Sequence, residues 1–223
     1  IKLDGVTAEA GFKETENFGR LEYSFSELVK NCGIDMTECS LIEENGRAHF
    51  LTKRFDRENG RKLHMQTLCG MAHYDFRLKN GHSYEQAFNV MRRLRLPYSQ
   101  AQEMFRRIVF NVVVRNQDDH TKNISFLMDS SGQWSLSPAY DMGFAYNPLG
   151  AWTSTHQMSI NGKFDNITRA DLLSLANANN IKNASEIIDQ VCETTAGWPE
   201  LAKNLGVPQK MIDEILPHLL LKI

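Results

Sequence analysis

At 223 residues, 42% hydrophobic and 23% charged, the chain can bury a sizeable core, as one large domain or as a small lobe attached to a larger one. A net charge of -2 and an isoelectric point near 6.4 argue against a mainly nucleic-acid-binding surface. No apolar run approaches the ~20 residues of a membrane helix and no signal-peptide pattern is visible, while four cysteines with no CxxC pair and no histidines at zinc spacing argue against a structural metal and read as reduced thiols of a cytoplasmic protein.

The chain opens on Ile1 rather than methionine, which leaves open whether residues precede it in the natural protein. Ile1 to Leu3 is a short apolar stretch ending at the Asp4-Gly5 turn signal and reads as the tail of a strand. Val6 to Gly19 reads as a loop. From Leu21 to Cys32 the apolar residues Leu21, Phe25, Leu28 and Val29 recur at helical spacing, with Glu22 in the first turn and Gly33 as the stop. Cys39 to Glu43 and Ala48 to Lys53 flank Asn45-Gly46, the signature of a hairpin between two strands.

After Arg54-Phe55-Asp56-Arg57 and the polar stretch Glu58 to Lys62, the pattern becomes mostly helical. Tyr84, Ala87, Phe88 and Met91 share a helical face closed by Pro97, and Ser99 is placed to cap a helix whose apolar stripe runs Ala101, Met104, Phe105, Ile108, Val109, Val112. Basic clusters at Arg92, Arg93 and Arg95 and at Arg106 and Arg107 lie on these helices and read as solvated faces. Ile124 to Met128 and Trp134 to Leu136 are short strands joined by Asp129-Ser130-Ser131-Gly132. The sequence is irregular from Asn147 to Phe164. It then returns to helices: one capped by Thr168, and others near Ala184 to Thr194, Pro199 to Leu205 and Gln209 to Leu221.

The chemistry concentrates where the Ala101–Val112 helix delivers the chain into Arg115 to Asn123, RNQDDHTKN, and where Asp141-Met142-Gly143 follows the hairpin. Two acids, Asp118 and Asp141, a cation at Lys122 and an amide at Asn123 are thereby set out in order. Phosphoryl transfer from ATP uses such parts: a carboxylate to orient the attacking hydroxyl, a cation near the moving group, and an amide with a second carboxylate to hold magnesium.

The segments RNQDDHTKNISFLMD and LSPAYDMG, with KRFDR and IKLDG upstream, resemble the C-terminal region of the HipA-like serine/threonine kinases, toxins of bacterial toxin–antitoxin pairs. The resemblance implies an α+β, protein-kinase-like fold, with residues 1–57 a remnant of the small lobe and its hinge and residues 58–223 a helical large lobe. It makes Asp118 the catalytic aspartate, puts Lys122 near the phosphates, and makes Asn123 and Asp141 the magnesium ligands. Lys2 corresponds to the lysine that contacts the α- and β-phosphates. Glu22 is either its ion-pair partner or a helix-start acid favoured by the dipole.

Arg54, Phe55 and Asp56 would form the hinge that meets adenine, Phe55 being either a ring-stacking or a core residue. His120 either holds the loop's shape from beneath or contacts nucleotide. Asp119, without a clear family counterpart, reads as a solvated charge. The family's glycine-bearing phosphate loop and its regulatory serine would precede Ile1, and no histidine-arginine pair precedes Asp118, where Asn116-Gln117 stand.

The leading expectation is therefore an ATP- and Mg2+-dependent protein serine/threonine kinase of the toxin type. Family relatives suggest an aminoacyl-tRNA synthetase as the kind of substrate and a helix-turn-helix antitoxin as partner, with neither direct nucleic-acid binding nor membrane association. Two alternatives stand beside it. A small-molecule phosphotransferase uses a similar loop but usually shows His-Gly before the catalytic Asp. A non-catalytic kinase-like subunit of a toxin–antitoxin complex would have no reason to keep Asp118, Asn123 and Asp141 together.

Overall fold

In the computed structural model, which describes residues 1–5, 17–58 and 60–223, the chain begins against its own hairpin. Strands β1 (Cys39–Glu44) and β2 (Arg47–Thr52) pair antiparallel around Asn45 and Gly46, whose φ values of 51° and 79° make the left-handed two-residue turn that this dipeptide favours. Lys2 extends this pair: its N–H donates to the Phe50 carbonyl (2.8 Å) and its carbonyl accepts from Phe50 N–H (3.0 Å).

Asp4, read from sequence as a turn residue, is buried and caps helix α1 (Phe18–Asn31) from outside it, accepting from the N–H groups of Asn17 (2.9 Å) and Phe18 (3.0 Å). Asn17 itself, left-handed at φ 73°, makes no side-chain cap. The loop expected over Val6 to Gly19 falls mostly outside the described residues, but Phe18 and Gly19 are helical. The earlier start puts Glu22 in the second turn, not the first, so the helix-end dipole is a weaker reason for its presence.

Downstream, β3 (Arg57–Glu58) and β4 (Arg61–Lys62) form a minimal hairpin, and β5 (His64–Thr67) leads into the short helix α2 (Leu68–Ala72). Here the expectation of helix gives way to strand: β5 pairs antiparallel with β7 (Ser125–Met128), which pairs with β8 (Trp134–Leu136) in a three-stranded sheet. The polar alternation of His64-Met65-Gln66-Thr67 is too short to be decisive without its partner strand. Two-residue strands β6 (His82–Ser83) and β9 (Met158–Ser159) pair in parallel, giving some order to the irregular 147–164 stretch.

Helix α3 (Tyr84–Arg93) starts at a Ser83/Gln86 capping box. Helix α4 (Tyr98–Val113) starts one residue before Ser99, with Pro97 in the cap position and no side-chain cap. Its face is wider than the stripe suggested: Phe110, Asn111 and Val113 are buried with Met104, Phe105, Ile108, Val109 and Val112, as suits a helix passing through the core. Arg107 is buried on it too, paired with Glu103 (2.7 Å) and donating to the Asp35 carbonyl, contrary to the solvated reading.

Helix α5 (Arg169–Ala178) follows the expected Thr168 cap, with Asp171 closing the box. Helices α6 (Ala184–Ala196), α7 (Trp198–Asn204) and α8 (Gln209–Ile215) complete the core. The last is shorter than expected: Pro217 lacks the N–H to continue, and a 3₁₀ turn at Leu216–His218 ends regular structure. Trp198, fully buried, stacks on Phe25 of α1 with ring centroids 4.7 Å apart and donates to Ser24 Oγ (3.1 Å). Among the described residues no helix is long and apolar enough to cross a membrane.

Helix α1 approaches β2 at Gly19, where an added Cβ would lie 1.8 Å from the Ala48 carbonyl oxygen. Because backbone cannot step aside as a flexible side chain does, Gly19→Ala is expected to lower stability by about 1–3 kcal/mol or more through overpacking. A urea denaturation midpoint equal to that of the parent chain would show that α1 backs away from β2 without cost.

Candidate active site

The loop that carries Asp118 is aimed by the way α4 ends. Asn116 N–H donates to the Asn111 carbonyl (2.8 Å) and Arg115 N–H to Val112 (3.2 Å), the paired bonds of a Schellman stop. The left-handed residue of that stop is Arg115, φ 52°, where glycine would be at ease. The chain then passes Ala145, with which Asn116 forms a bridge.

Asn116 and Asp118 face a cavity of about 340 Å³ that also holds Lys2, Glu22, His120, Asn123 and Asp141 over an apolar floor including Phe25 and Met142. Lys2 Nζ lies 2.6 Å from Glu22 Oε1 and also pairs with Asp141 Oδ1. Burial alone would lower the Lys2 pKa, but the charges of Glu22 and Asp141 outweigh it and the net shift is upward. Glu22 also shifts upward: its burial exceeds the help it receives from Lys2, which is divided between two carboxylates. Asp141 is itself left-handed at φ 51°, and its carbonyl accepts from Asn116 Nδ2 (3.3 Å), tying the two acid-bearing loops together.

Within the loop, His120 N–H donates to the Asp118 carbonyl (2.9 Å), Asn123 N–H to the His120 carbonyl (2.9 Å), and Asn123 Nδ2 to the Asp118 carbonyl (2.9 Å). The amide oxygen of Asn123 is left to the cavity. Burial raises the Asp118 pKa; His120, with Nε2 3.9 Å from Asp118 Oδ1, opposes the rise, and Asp119 and Asp141 add to it. The His120 ring stands edge-on to Phe76, and its Nδ1 is buried without a partner among the described residues. Tyr140 braces the far end, donating to the Lys122 carbonyl (2.6 Å) and bonding Ser125; burial pushes its phenol up to about 12.

Asp119 is not solvated. It is 3% exposed. Oδ2 accepts from Tyr84 Oη (2.7 Å) and His156 Nδ1 (2.8 Å), and Oδ1 from Gln157 N–H (2.7 Å). Tyr84 Oη in turn accepts from Asn111 Nδ2 (3.0 Å), and Asn111 Oδ1 from Asn116 Nδ2 (3.0 Å), so the network returns to the loop it supports. Burial, then the Asp119 charge, holds the Tyr84 pKa well above its ordinary value. Tyr84 was visible in sequence on an apolar stripe, and a buried phenol needs a hydrogen-bond partner; that was the one signal pointing toward Asp119.

The structure thus brings together Lys2, Asp118, His120, Asn123 and Asp141, with Glu22. It does not bring Lys122, Arg54, Phe55 or Asp56 to this cavity. Lys122 Nζ sits 4.1 Å over the Phe76 ring. Arg54 grips Asp56 through two bonds (2.8 and 2.6 Å), Arg57 reaches the same carboxylate, and Phe55 tilts against Tyr140. The Arg54 guanidinium beside Asp56 holds its carboxyl below the usual range.

Among the described residues no three His, Cys, Asp or Glu side chains converge as an all-protein metal cage. Of the oxygen donors lining the cavity, the Asp141 carboxylate and the Asn123 amide oxygen are both hard donors. This fits a magnesium ion that takes few protein ligands and completes its shell with phosphate and water.

The chain matches the HipA-like C-terminal domain family over residues 1–198 and belongs to it. It is 27% identical over 218 residues to a putative kinase of Sinorhizobium fredii, Y4dM, covering 88% of this chain and 52% of that protein. A putative kinase of Haemophilus influenzae is 29% identical over 136 residues, 54% of this chain and 39% of that protein. The chain therefore spans about half the length, or less, of these curated relatives. Its fold is similar to that of HipA from Shewanella oneidensis MR-1, solved with HipB and its operator DNA, at a TM-score of 0.67 and 20% identity over 89% of this chain and 52% of that one. It is also similar to the Helicobacter pylori proinflammatory kinase CtkA, at 0.54 and 15% over 91% and 84%.

Replacing Asp119 by alanine strands three buried donors at once, so Asp119→Ala is expected to cost about 3 kcal/mol or more, and Tyr84→Phe, which removes one donor to Asp119 and the acceptor of Asn111 Nδ2, about 1–2 kcal/mol. Thermal unfolding of the two variants checks the order. A Tyr84→Phe loss equal to that of Asp119→Ala would mean the carboxylate is not the centre of the network.

Proposed function

We propose that the chain is the catalytic part of an ATP- and magnesium-dependent protein serine/threonine kinase that transfers the γ-phosphoryl group to a protein hydroxyl. The observation that carries this reading is the convergence of Lys2, Glu22, Asp118, Asn123 and Asp141, from four separate segments, on one cavity. In it residues 1–57 belong to the small lobe and residues 58–223 to the large lobe, joined at Arg54 to Arg57, where Asp56 is clamped between two arginines.

Asp118 accepts or orients the proton of the incoming hydroxyl, and its burial makes it a stronger base than a free aspartate. Lys2, held between Glu22 and Asp141, contacts the α- and β-phosphates. Asn123 and Asp141 hold magnesium, which when bound neutralises phosphate charge and orients the transferred group. Three carboxylates against one ammonium make the cavity electronegative, which supports a metal-borne rather than a bare polyphosphate. His120 shapes the loop from beneath. The solved HipA–HipB complex supports an antitoxin partner for the protein, and the family resemblance supports an aminoacyl-tRNA synthetase as substrate.

In the full-length protein, Asp118→Asn is expected to lower phosphoryl transfer by about 10²–10⁴-fold with nucleotide affinity little changed. A variant keeping more than about a tenth of the parent rate would remove Asp118 from that role. The pH profile adds a second reading. Protonated Asp118 cannot accept a proton, and its pKa is raised above the ordinary 3.8, so activity should fall on acidification at a higher pH than an unperturbed aspartate would give.

Asp141→Ala should weaken ATP binding in the presence of magnesium far more than in its absence, because Asn123 alone offers a neutral carbonyl oxygen. Calorimetry with and without the metal is the test, and equal losses under both conditions would make Asp141 only a partner of Lys2.

A further inference from the structure

The loop after α4 alternates its side chains between two cavities. Asn116 and Asp118 face the front cavity, while Arg115 and Gln117 line a second one of about 360 Å³ behind the loop. The rear cavity is completed by the tail residues Leu220 and Lys222, by His156 and by the start of α5 around Arg169. Its volume is about ten times the ~30 Å³ share of a water molecule, and it falls within the range of ligand pockets.

The chemistry of its walls is unfinished. Gln117 is 2% exposed and its Oε1 has no hydrogen-bond partner among the described residues; Arg115 Nε is likewise buried and unpartnered. A buried acceptor and a buried donor left open on adjacent same-side positions each cost stability unless a ligand satisfies them. The charges point the same way. Three cations, Arg115, Arg169 and Lys222, face two carboxylates, Asp165 and the α-carboxylate that Ile223 carries in the 223-residue chain; Arg169 is paired with Asp189 (2.8 Å), and among the described residues neither Arg115 nor Lys222 forms an ion pair. Arg115 also occupies the left-handed helix-stop position where glycine would be unstrained, its guanidinium carbon 4.3 Å over the Tyr146 ring, so its side chain is held in place rather than free.

We propose that this rear cavity binds an acidic residue of a peptide segment, its carboxylate meeting Arg115 and Lys222 and a peptide N–H meeting Gln117 Oε1. A peptide residue supplies the acceptor, the negative charge and the donor in one unit, and fills a space too large for a lone inorganic anion. The site lies one residue from Asp118, and His156, on its wall, bonds Asp119 directly. An occupant therefore touches the same loop that shapes the front cavity. The proposal does not depend on phosphoryl transfer.

The test is an NMR titration of the isotope-labelled 223-residue chain with the capped tripeptide acetyl-Ala-Glu-Ala-amide, its Ala-Gln-Ala counterpart, and inorganic phosphate. The acidic peptide is expected to shift the amides of Arg115, Gln117 and Lys222. Its affinity should fall about fivefold in Arg115→Gln and in Lys222→Gln, the size of one partly exposed charge contact. Saturating Mg-ATP should not displace it. Lys222 is exposed near the tail, so that variant reports on binding even if Arg115→Gln fails to fold. The proposal is overturned if the Gln peptide binds equally well, if phosphate alone gives the same shifts at the same affinity, if nucleotide competes, or if Lys222→Gln leaves the affinity unchanged.

Discussion

The Asp119 carboxylate is the constraint around which the loop region is organised. A buried carboxyl group is tolerated only where hydrogen-bond partners replace water, and here they come from three places: Tyr84 on α3, the ring of His156 and the backbone of Gln157. Satisfying this one side chain therefore fixes where α3 and the 156–157 segment meet the loop after α4. It also fixes the orientation of the loop itself. With Asp119 turned into the core, Asp118 is left facing outward into the cavity, and the Asn111–Asn116 bonds close the circuit back to the start of the loop.

What could be read from the sequence was what neighbours in the chain decide. The hairpin at Asn45-Gly46, the α4 stripe, the Trp134–Leu136 strand and the Thr168 cap each rest on a turn type or a periodicity spanning a few residues. The misses share another origin. Strand β5 is a strand because β7 lies beside it, Arg107 is buried because Glu103 and Asp35 meet it, and Asp4 caps a helix that begins fourteen positions later. Apart from the i,i+4 spacing of Glu103 and Arg107, none of these has a local signature.

The site divides in the same way. Asp118, His120, Asn123 and Asp141 were picked out from two short motifs and Lys2 from a strand end, and all five meet at one cavity. Asp119, inside the first of those motifs, was misread as solvated, because its partners lie 35 to 38 positions away. Lys122 and the Arg54–Asp56 segment, which the resemblance assigns to the nucleotide, lie outside this cavity, Lys122 over the Phe76 ring and Arg54 in a fork with Asp56.

Helix α1 is mounted from both sides. Toward the hairpin it is seated at Gly19 against Ala48, tied by Asp4 at its start and by Arg20 to Glu43 (2.7 Å). Toward the helical body, Phe25 and Ser24 engage Trp198. A body constrained on opposite faces keeps neither a free rotation about its axis nor a sliding translation, and Glu22 lies between the two mounts. The reach from Glu22 to Lys2 is thus set by the stiffness of the frame, and the charges of the cavity meet at a spacing that the hairpin and the helical body fix jointly.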